Sequence, residues 1–390
     1  MHIIELTELQ FKNYSNLHSK KNYKQSVEYA KLKTFNDYSI LYLGLVDEYD
    51  NVHAATLLLS KKINNKHKYG YAPNGYLIDF CNLGLVSTFT TELKAYLKKL
   101  NYVYVRVNPL FNYQIYNSDF LLKENNSAII NELKTIGYEF IPNTSKYKMM
   151  LKTDSIDSTY KNFKRSLRRN LNDCLKKGIE VYQGTTAKDF EDFLNLVENK
   201  ERYKNMLEIF NSPTNKFEFY FAKIIPETYI NNYRYLLKKE QINNEMLNEK
   251  MKNPNIKKTN GLFEKKMISD KLLTKYNNEI MNGTRLLQKY PKGVIISAAG
   301  IINNGKEVTF VKECYTEEFK HIRSVPIVKW EIMKKHIVKG DKLFDLGHVV
   351  ITKNQITKTG YNGNIIEYSN NFDLVINEML YKLNGFSKKK

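Results

Sequence analysis

The chain has 390 residues, of which 42% are hydrophobic and 13% aromatic. This is enough for two or more domains with packed cores, and it excludes wholesale disorder. Lys and Arg number 61 against 41 Asp and Glu, a net charge of +20, which favours a polyanionic partner such as nucleic acid, anionic lipid or a pyrophosphate group. An AT-rich genome, which favours Lys, Asn and Tyr, explains the same composition equally well.

The sequence also excludes several classes of protein. The first fifteen residues contain no signal-peptide pattern, and no apolar run approaches the ~18 residues of a membrane span. Cys81, Cys174 and Cys314 lie too far apart for a metal pair or a disulfide framework. The motifs of serine hydrolases, zinc proteases and P-loop proteins are also missing. We therefore expect a cytoplasmic protein that reaches any lipid substrate from the membrane surface.

The first half of the chain is predicted to be a mixed sheet covered by helices. Residues 38–46 and 52–59 are β-rich runs separated by a turn, which predicts a hairpin. A further strand is predicted at 76–80, helices at 90–100 and 127–136, and strands at 102–107 and 146–151.

The second half repeats this order of elements. A basic helix is predicted at 160–177, a strand at 179–182, helices at 188–200 and 218–225, and strands at 294–302 and 307–312. Because both halves alternate strands and helices in similar order, we interpret them as two related α/β domains.

An insertion separates the parts of the second half. Between Arg234 and Tyr290 there are 13 Lys or Arg and six Asp or Glu. The apolar residues follow spacings of three, four and seven on either side of Asn253-Pro254, which predicts an antiparallel helical hairpin. A basic hairpin suits contact with phosphates, whereas a solvated protrusion without a partner is the alternative.

The stretch 318–347 is the most informative. Apolar residues at near-helical spacing surround Trp330-Glu331, Gly340 ends the helix, and Phe344-Asp345-Leu346-Gly347 follows as a short strand and loop. This resembles the signature of the Fem family (FemA, FemB, FemX, MurM). Similar motifs occur in the family's order at 29–33, 71–80, 167–178, 360–362 and 365–368. The resemblance is greatest to the FemA type, which carries a helical arm.

The resemblance implies a fold. It is of the α/β (α+β) class, with two tandem acetyltransferase-like (GNAT-like) domains and an inserted antiparallel coiled-coil arm. The predicted boundaries are 1–153 for the first domain, 154–233 and 291–375 for the two parts of the second, and 234–290 for the arm. Residues 376–390 are predicted as a C-terminal helix and basic tail that pack on the first domain.

The resemblance also implies a reaction. Fem enzymes transfer an amino acid from aminoacyl-tRNA to the stem-peptide amine of lipid II, or of a UDP-linked muropeptide, and so build the interpeptide bridge without a cofactor or metal. It further implies peripheral contact with the inner face of the membrane, and assembly with itself or with related transferases.

The implied site residues follow from aligned motifs. Lys33 and Lys216 match the residues that hold the precursor's pyrophosphate, and Thr214 and Tyr220 match other substrate contacts. Lys358 matches a lysine near the reacting centre and is the catalytic candidate, because a fixed ammonium stabilises the oxyanion of acyl transfer. The predicted tRNA contacts are Lys257, Lys258, Lys265, Lys266, Arg168 and Arg169.

A general base is harder to assign. Asn108 stands where the family often has Asp, and an amide cannot take a proton. Asp79 and Asp345 are alternatives, although each lies at a strand end where short polar side chains cap turns, and His348 is a third candidate. Deprotonation by the tRNA ribose or by water is the remaining route, with the enzyme supplying proximity and charge.

Two other functions fit parts of the sequence. An acetyl-CoA-dependent acyltransferase suits the half-domain pattern, but no strand-to-helix turn has the Gly-rich loop that binds a pyrophosphate at a helix N-terminus. A non-catalytic RNA-binding protein suits the charge, but no RNA-binding motif is recognisable.

Overall fold

Two β-sheets, both covered by helices, form the body of the protein. The structure is a computed structural model that describes residues 1–141, 147–253, 260–352, 355–368 and 371–383. Within these ranges no helix is long and apolar enough to cross a membrane. The α/β class and the helical hairpin predicted from the sequence are both confirmed.

Seven strands form the first sheet, in the order β1-β2-β3-β4-β5-β19-β8. They are β1 (His2–Glu5), β2 (Ser39–Val46), β3 (Val52–Lys62), β4 (Lys68–Ala72), β5 (Tyr102–Val107), β8 (Tyr138–Ile141) and β19 (Asn371–Val375). Its helices are α1 (Glu8–Leu17), α2 (Val27–Thr34), α3 (Leu83–Lys99), α4 (Ala128–Ile136) and the C-terminal α12 (Glu378–Leu383). The predicted hairpin of β2 and β3 is present and antiparallel.

The second sheet has the order β10-β12-β13-β14-β15-β9-β18-β6-β7, with β11 beside β12. Its strands are β6 (Asn112–Tyr116), β7 (Leu122–Asn125), β9 (Tyr147–Lys152), β10 (Ile179–Gln183), β11 (Asn211–Ser212), β12 (Asn215–Ile224), β13 (Val294–Asn303), β14 (Val308–Tyr315), β15 (Leu343–Val349) and β18 (Asn364–Tyr368). A separate pair, β16 (Ile351–Thr352) and β17 (Gln355–Ile356), follows β15.

Its helices are α5 (Ile156–Asn162), α6 (Arg165–Lys176), α7 (Ala187–Asn195), α8 (Lys200–Ile209) and α11 (Val325–Val338), with 3₁₀ turns η1 (Glu317–Ile322) and η2 (Thr359–Tyr361).

Two strands pair in a different sheet from the one that the predicted domain boundaries imply. Strand β9, predicted to complete the first sheet, pairs instead with β15 and β18 of the second. Strand β19, whose residues fall inside the predicted second domain, lies between β5 and β8 of the first sheet. Next to it, Tyr381 of α12 donates a hydrogen bond to Asp373 (2.8 Å) and packs against Tyr104. Residues 384–390 lie outside the described residues.

One predicted helix is wrong, since residues 218–225 lie within strand β12. Phe217, Phe219 and Phe221 point into one hydrophobic cluster, while Tyr220 and Ala222 point into another. A central strand buried on both faces is apolar throughout, and this pattern alone cannot be distinguished from a buried helical segment.

Two other predictions differ in detail. The predicted strand at 76–80 is irregular and contacts the sheet by a single β-bridge between Leu77 and Ala55. Strand β4 takes the position between β3 and β5. The predicted helix at 160–177 breaks into α5 and α6 at Phe163. That ring packs against Trp330 (5.0 Å between centroids) and Tyr361 (5.5 Å), so core packing overrides helix continuity.

The insertion forms two long antiparallel helices, α9 (Pro226–Lys252) and α10 (Asn260–Lys289). Near the body, a Cβ at Gly283 would lie 2.8 Å from Ile230, so only glycine permits this close approach. Further out, the Asn244 amide donates to Ser269 (3.0 Å) and Asp270 (2.8 Å). A buried polar layer of this kind specifies the register of paired helices.

A buried ionic cluster anchors the end of α11. His336 is fully buried, with Nδ1 2.8 Å from Asp341 and Nε2 3.7 Å from Glu218. Burial alone would lower the pKa of His336, but the two carboxylates outweigh burial and raise it above its usual value. The charged histidine therefore stabilises the fold below pH ~6.5, and this contribution is lost as pH rises through the folded-state pKa.

We predict that His336→Gln lowers the free energy of unfolding by about 2 kcal/mol at pH 6, the scale of a hydrogen bond to a charged group, and by less at pH 8.5. Urea unfolding of both proteins at the two pH values measures the difference. His321→Gln, at an exposed position, is the control. A loss that is equal at both pH values, or larger at pH 8.5, would contradict the assigned role.

Candidate functional site

The main candidate site is a cleft of about 700 Å³ between the helices of the first sheet and strands of the second. One wall is formed by α2 and the segment before it, and carries Lys24 and Lys33. The facing wall contains Arg202 from α8, and the floor contains Thr309 and Asp345 from β14 and β15.

Two polar anchors position the first wall. The Gln25 amide donates to Pro73 (2.9 Å) and accepts from the backbone of Leu57 (2.8 Å), which fixes the start of α2 on the first sheet. The buried carboxylate of Glu28 accepts from Ser212 (2.9 Å) and Asn215 (3.0 Å) in the β11–β12 turn. The helix is therefore bonded to both sheets, and the cleft has a defined width.

The cleft concentrates positive charge. Burial, together with the charge of Lys148, lowers the pKa of Lys24 to about 8. Burial and the nearby Arg202 and Lys61 also lower the pKa of Lys33. Positive groups that repel one another in this way are stabilised by an anionic ligand.

An ion pair forms the back of the cleft. The Lys148 ammonium lies 2.7 Å from the Asp345 carboxylate, which is buried. The same pair borders a second cavity of about 370 Å³, where Glu307 and Lys306 also line the wall. Burial, and next the charge of Asp345, raises the pKa of Glu307 to about 7. This carboxyl group could therefore exchange a proton near neutral pH.

A lysine lies behind the floor of the cleft. Lys358, in the left-handed conformation (φ 63°), directs its ammonium to the carbonyl of Leu346 (2.5 Å) and to Glu313 (3.3 Å). Gly347, which lines the cleft, separates this ammonium from the open space. A Cβ at Gly347 would lie 3.3 Å from Lys358 Nζ, and its φ of +80° disfavours any other residue.

Comparison with known proteins decides the family. The sequence model of the FemAB family matches residues 6–389. The chain belongs to the FemAB family. This confirms the resemblance seen in the sequence and the predicted enzyme class, an aminoacyltransferase, and places the protein in peptidoglycan bridge synthesis.

Individual relatives agree over the full length. Aminoacyltransferase FemA of Staphylococcus epidermidis is 26% identical, covering 100% of this chain and 99% of the relative. Aminoacyltransferase FemA of Staphylococcus aureus is 25% identical, covering 98% and 97%. The crystal structure of FemX superposes with a TM-score of 0.74 at 16% identity, over 98% of this chain and 99% of that one. The match to FemX confirms the tandem fold.

The predicted substrate-binding residues of this FemAB protein do not come together. Lys33 lines the cleft, whereas Lys216 is exposed and lines a different cavity with Gln183 and Phe190. Tyr220 faces a third cavity and donates a hydrogen bond to Glu218 (2.6 Å). Thr214 lies in the β11–β12 turn, 3.3 Å from Ser212. The aligned motifs had grouped these residues, although Lys216 and Tyr220 both lie on β12 and line different cavities.

The predicted tRNA-binding residues fall in two places. Arg168 and Arg169 lie on α6, where Arg168 is partly buried and Arg169 is exposed. On the arm, Lys265 is exposed and Lys266 pairs with Asp270 (2.5 Å). Lys257 and Lys258 lie outside the described residues.

The candidates for a base also separate. Asp79 is exposed and accepts a hydrogen bond from the backbone of Cys81 (3.0 Å), as expected of a turn residue. Asp345 and His348 both line the cleft. Asn108 bonds to Asn371 across strands β5 and β19. In the described part of the chain, no cluster of His, Cys, Asp and Glu is arranged to hold a metal ion.

Sequence reasoning missed several residues of the site. Arg202, Lys24 and Lys148 lie in no recognisable motif, because strand pairing and helix packing bring them together. Lys329 did carry a signal. It is a charged residue on the apolar face of the signature helix, directly before Trp330, and charged side chains are rarely buried without a partner.

Proposed function

We propose that this protein transfers an amino acid from aminoacyl-tRNA to the side-chain amine of the stem peptide in a pyrophosphate-linked peptidoglycan precursor. The amine nitrogen attacks the ester carbonyl, a C–N bond forms, and the C–O bond to the tRNA ribose breaks. The ribose oxygen takes up a proton, and the amine loses one. The cationic cleft beside Lys358 is the observation that carries this proposal.

The pyrophosphate is assigned to the cations of the cleft. Lys24 and Lys33 on one wall face Arg202 on the other, and the resemblance calls for a lysine from the first domain with an arginine from the second. Arginine supplies a planar fork that matches phosphate oxygens, whereas lysine acts as a point charge. Arg202 therefore replaces Lys216 as the proposed partner of Lys33.

The oxyanion of the transfer is assigned to Lys358. Its side chain is 20% exposed, and its ammonium lies behind Gly347, which lines the floor of the cleft. A fixed positive charge beside the reacting carbonyl stabilises the transition state more than the ground state, because the negative charge develops only there.

The tRNA is assigned to the surface of α6. This helix packs against the turn that carries Lys358, since Lys164 N–H donates to the Gly360 carbonyl (2.9 Å) and Leu167 contacts Gly360. Arg165 and Arg169 are exposed one helical turn apart. A row of arginines can follow a phosphate backbone and place the acylated end beside Lys358.

One assay tests the whole proposal. Purified protein is incubated with lipid-linked or UDP-linked precursor and a mixed pool of charged tRNAs, and the product is analysed by mass. We expect the precursor to gain the mass of one or more amino acids, with none gained when the tRNA is uncharged. A gain of acetyl mass with acetyl-CoA in place of tRNA would overturn the proposal, and so would binding of RNA without any transfer.

The cleft gives a second prediction. Lys33→Ala and Arg202→Ala should each weaken binding of the UDP-linked precursor about 10-fold, because a charged hydrogen bond contributes roughly 1.5 to 3 kcal/mol. Lys216→Ala removes the same charge from a different cavity, so its Kd should stay within about twofold of wild type. Calorimetric titration measures all three. A larger loss for Lys216→Ala than for Arg202→Ala would restore the pairing inferred from the sequence.

The basic surfaces give a third prediction. Changing Arg165, Arg168 and Arg169 to Gln should raise the KM for charged tRNA and lower the slope of log K against log salt by up to about 2.7, at ~0.9 for each lost phosphate contact. Precursor binding should not change. Wild-type KM and slope in this variant would contradict the assignment.

The matched arm variant changes Lys257, Lys258 and Lys265 to Gln, which removes the same number of charges. An equal fall in slope would show that the arm also reaches the RNA. Unchanged values would make the arm a spacer or an oligomer contact.

A further inference from the structure

A lysine lies buried in the middle of the signature helix. The side chain of Lys329 is only 2% exposed, and it occupies the apolar face of α11 between Val328 and Trp330, which are themselves buried. An ammonium is retained in such a place only when hydrogen bonds and an opposite charge hold it.

Lys329 and Lys358 share both of their acceptors. The Leu346 carbonyl accepts from Lys329 at 3.0 Å and from Lys358 at 2.5 Å. The same oxygen of Glu313, Oε1, lies 2.5 Å from Lys329 and 3.3 Å from Lys358. Two ammonium groups therefore compete for one carboxylate oxygen and one carbonyl.

The cluster carries one uncompensated positive charge, because two lysines face a single glutamate. Burial would raise the pKa of Glu313, but Lys329 and Lys358 outweigh it and hold that pKa below its usual range. Burial, aided by the charge of Lys358, lowers the pKa of Lys329 to about 8 although Glu313 opposes the shift.

Only one of the two lysines can meet a substrate. Lys358 is ten times more exposed than Lys329, at 20% against 2%, and it lies behind Gly347 at the floor of the cleft. Lys329 lies deeper, with its ammonium 5.0 Å from the ring of Phe310 and 5.8 Å from that of Tyr361. Any effect of Lys329 on the reaction must act through Lys358.

We propose that Lys329 is a positioning residue for acyl transfer. By occupying Glu313 and the Leu346 carbonyl together with Lys358, it prevents the carboxylate from neutralising Lys358 and keeps a net positive charge behind Gly347 at the floor of the cleft. This inference rests on the proposed function, in which Lys358 stabilises the oxyanion. Without Lys329, Glu313 would pair with Lys358 alone, and the cluster would present no net charge to the reacting carbonyl.

The arrangement makes the cluster sensitive to pH. The groups that face Lys329 are Glu313 on β14, Lys358 on the turn before η2, and the Tyr361 ring of η2. As pH rises through about 8, Lys329 loses its proton and the cluster changes from a charge of +1 to neutral. The advantage that Lys329 gives to catalysis should therefore be nearly full at pH 7, fall by half near pH 8 and be almost lost at pH 9.

Lys329→Met tests the catalytic role. We expect kcat in single-turnover transfer at pH 7 to fall about 10-fold, less than the loss of a direct oxyanion donor, with the precursor Kd within about twofold of wild type. The ratio of wild-type to variant kcat should shrink toward one between pH 7 and 9. This ratio cancels the ionisation of the substrate amine, which both proteins share. A ratio of one at every pH would overturn the inference.

A second readout needs neither substrate nor activity. Brief labelling with acetic anhydride, read by mass spectrometry, reports how readily Lys358 gives up its proton, with exposed Lys265 as the internal reference. Labelling of Lys358 should slow several-fold in Lys329→Met, where Glu313 pairs with it alone. It should quicken in Glu313→Gln, where two ammonium groups repel each other without a carboxylate.

The two readouts separate the possible failures. If wild type transfers no amino acid but labelling changes in these opposite directions, the proposed function fails while the charge arrangement stands. If wild type is active and Lys358 labels equally in all three proteins, the positioning role is wrong. Circular dichroism checks folding, and if Lys329→Met does not fold, Glu313→Gln decides, because unchanged labelling in that variant also overturns the inference.

Discussion

The site depends on the point where strands β14 and β15 stop pairing. Their parallel ladder covers only Val308 with Phe344 and Thr309 with Asp345. The next carbonyl of β15, that of Leu346, instead accepts from the ammonium groups of Lys329 and Lys358, which also reach Glu313 on β14. Side chains thus replace the missing backbone bonds, and the charge that satisfies the buried carbonyl is the charge available to a substrate.

The cleft in front of this point is fixed by contacts that cross between the sheets. Glu28 on α2 bonds to the β11–β12 turn of the second sheet. Strand β9, from the first half of the chain, pairs in the second sheet, and strand β19, from the C-terminal end, pairs in the first sheet. Because both sheets contain strands from both ends of the chain, the walls that carry Lys33 and Arg202 cannot easily move apart. Fixed cations stabilise a developing negative charge without the cost of reorienting them during the reaction.

The cations of the cleft and of the cluster behind it differ in burial. On the walls of the cleft, Arg202 is exposed, and Lys24 and Lys33 are half-buried. Behind the floor, Lys358 is backed by the fully buried Lys329. Electrostatic interactions become stronger as water is excluded. The outer cations therefore suit binding of a pyrophosphate, which is charged throughout, and the inner ones suit an oxyanion that exists only in the transition state.

The sequence by itself determined the α/β class, the helical arm and the signature helix with its following strand, because periodic patterns and local motifs carry that information. It also supplied Lys33 and Lys358 as candidate site residues through the family motifs. It misassigned strand β12, whose two buried faces produce no alternation, and the family resemblance grouped Lys216 and Tyr220 with Lys33. Only the tertiary structure decided that Arg202 faces Lys33 and that Lys329 meets Glu313. Arg202 and Lys33 are 169 positions apart in the chain, and Lys329 and Glu313 are 16 apart. Their geometry depends on which strands pair and which helix faces pack together, and a local sequence pattern does not contain that information.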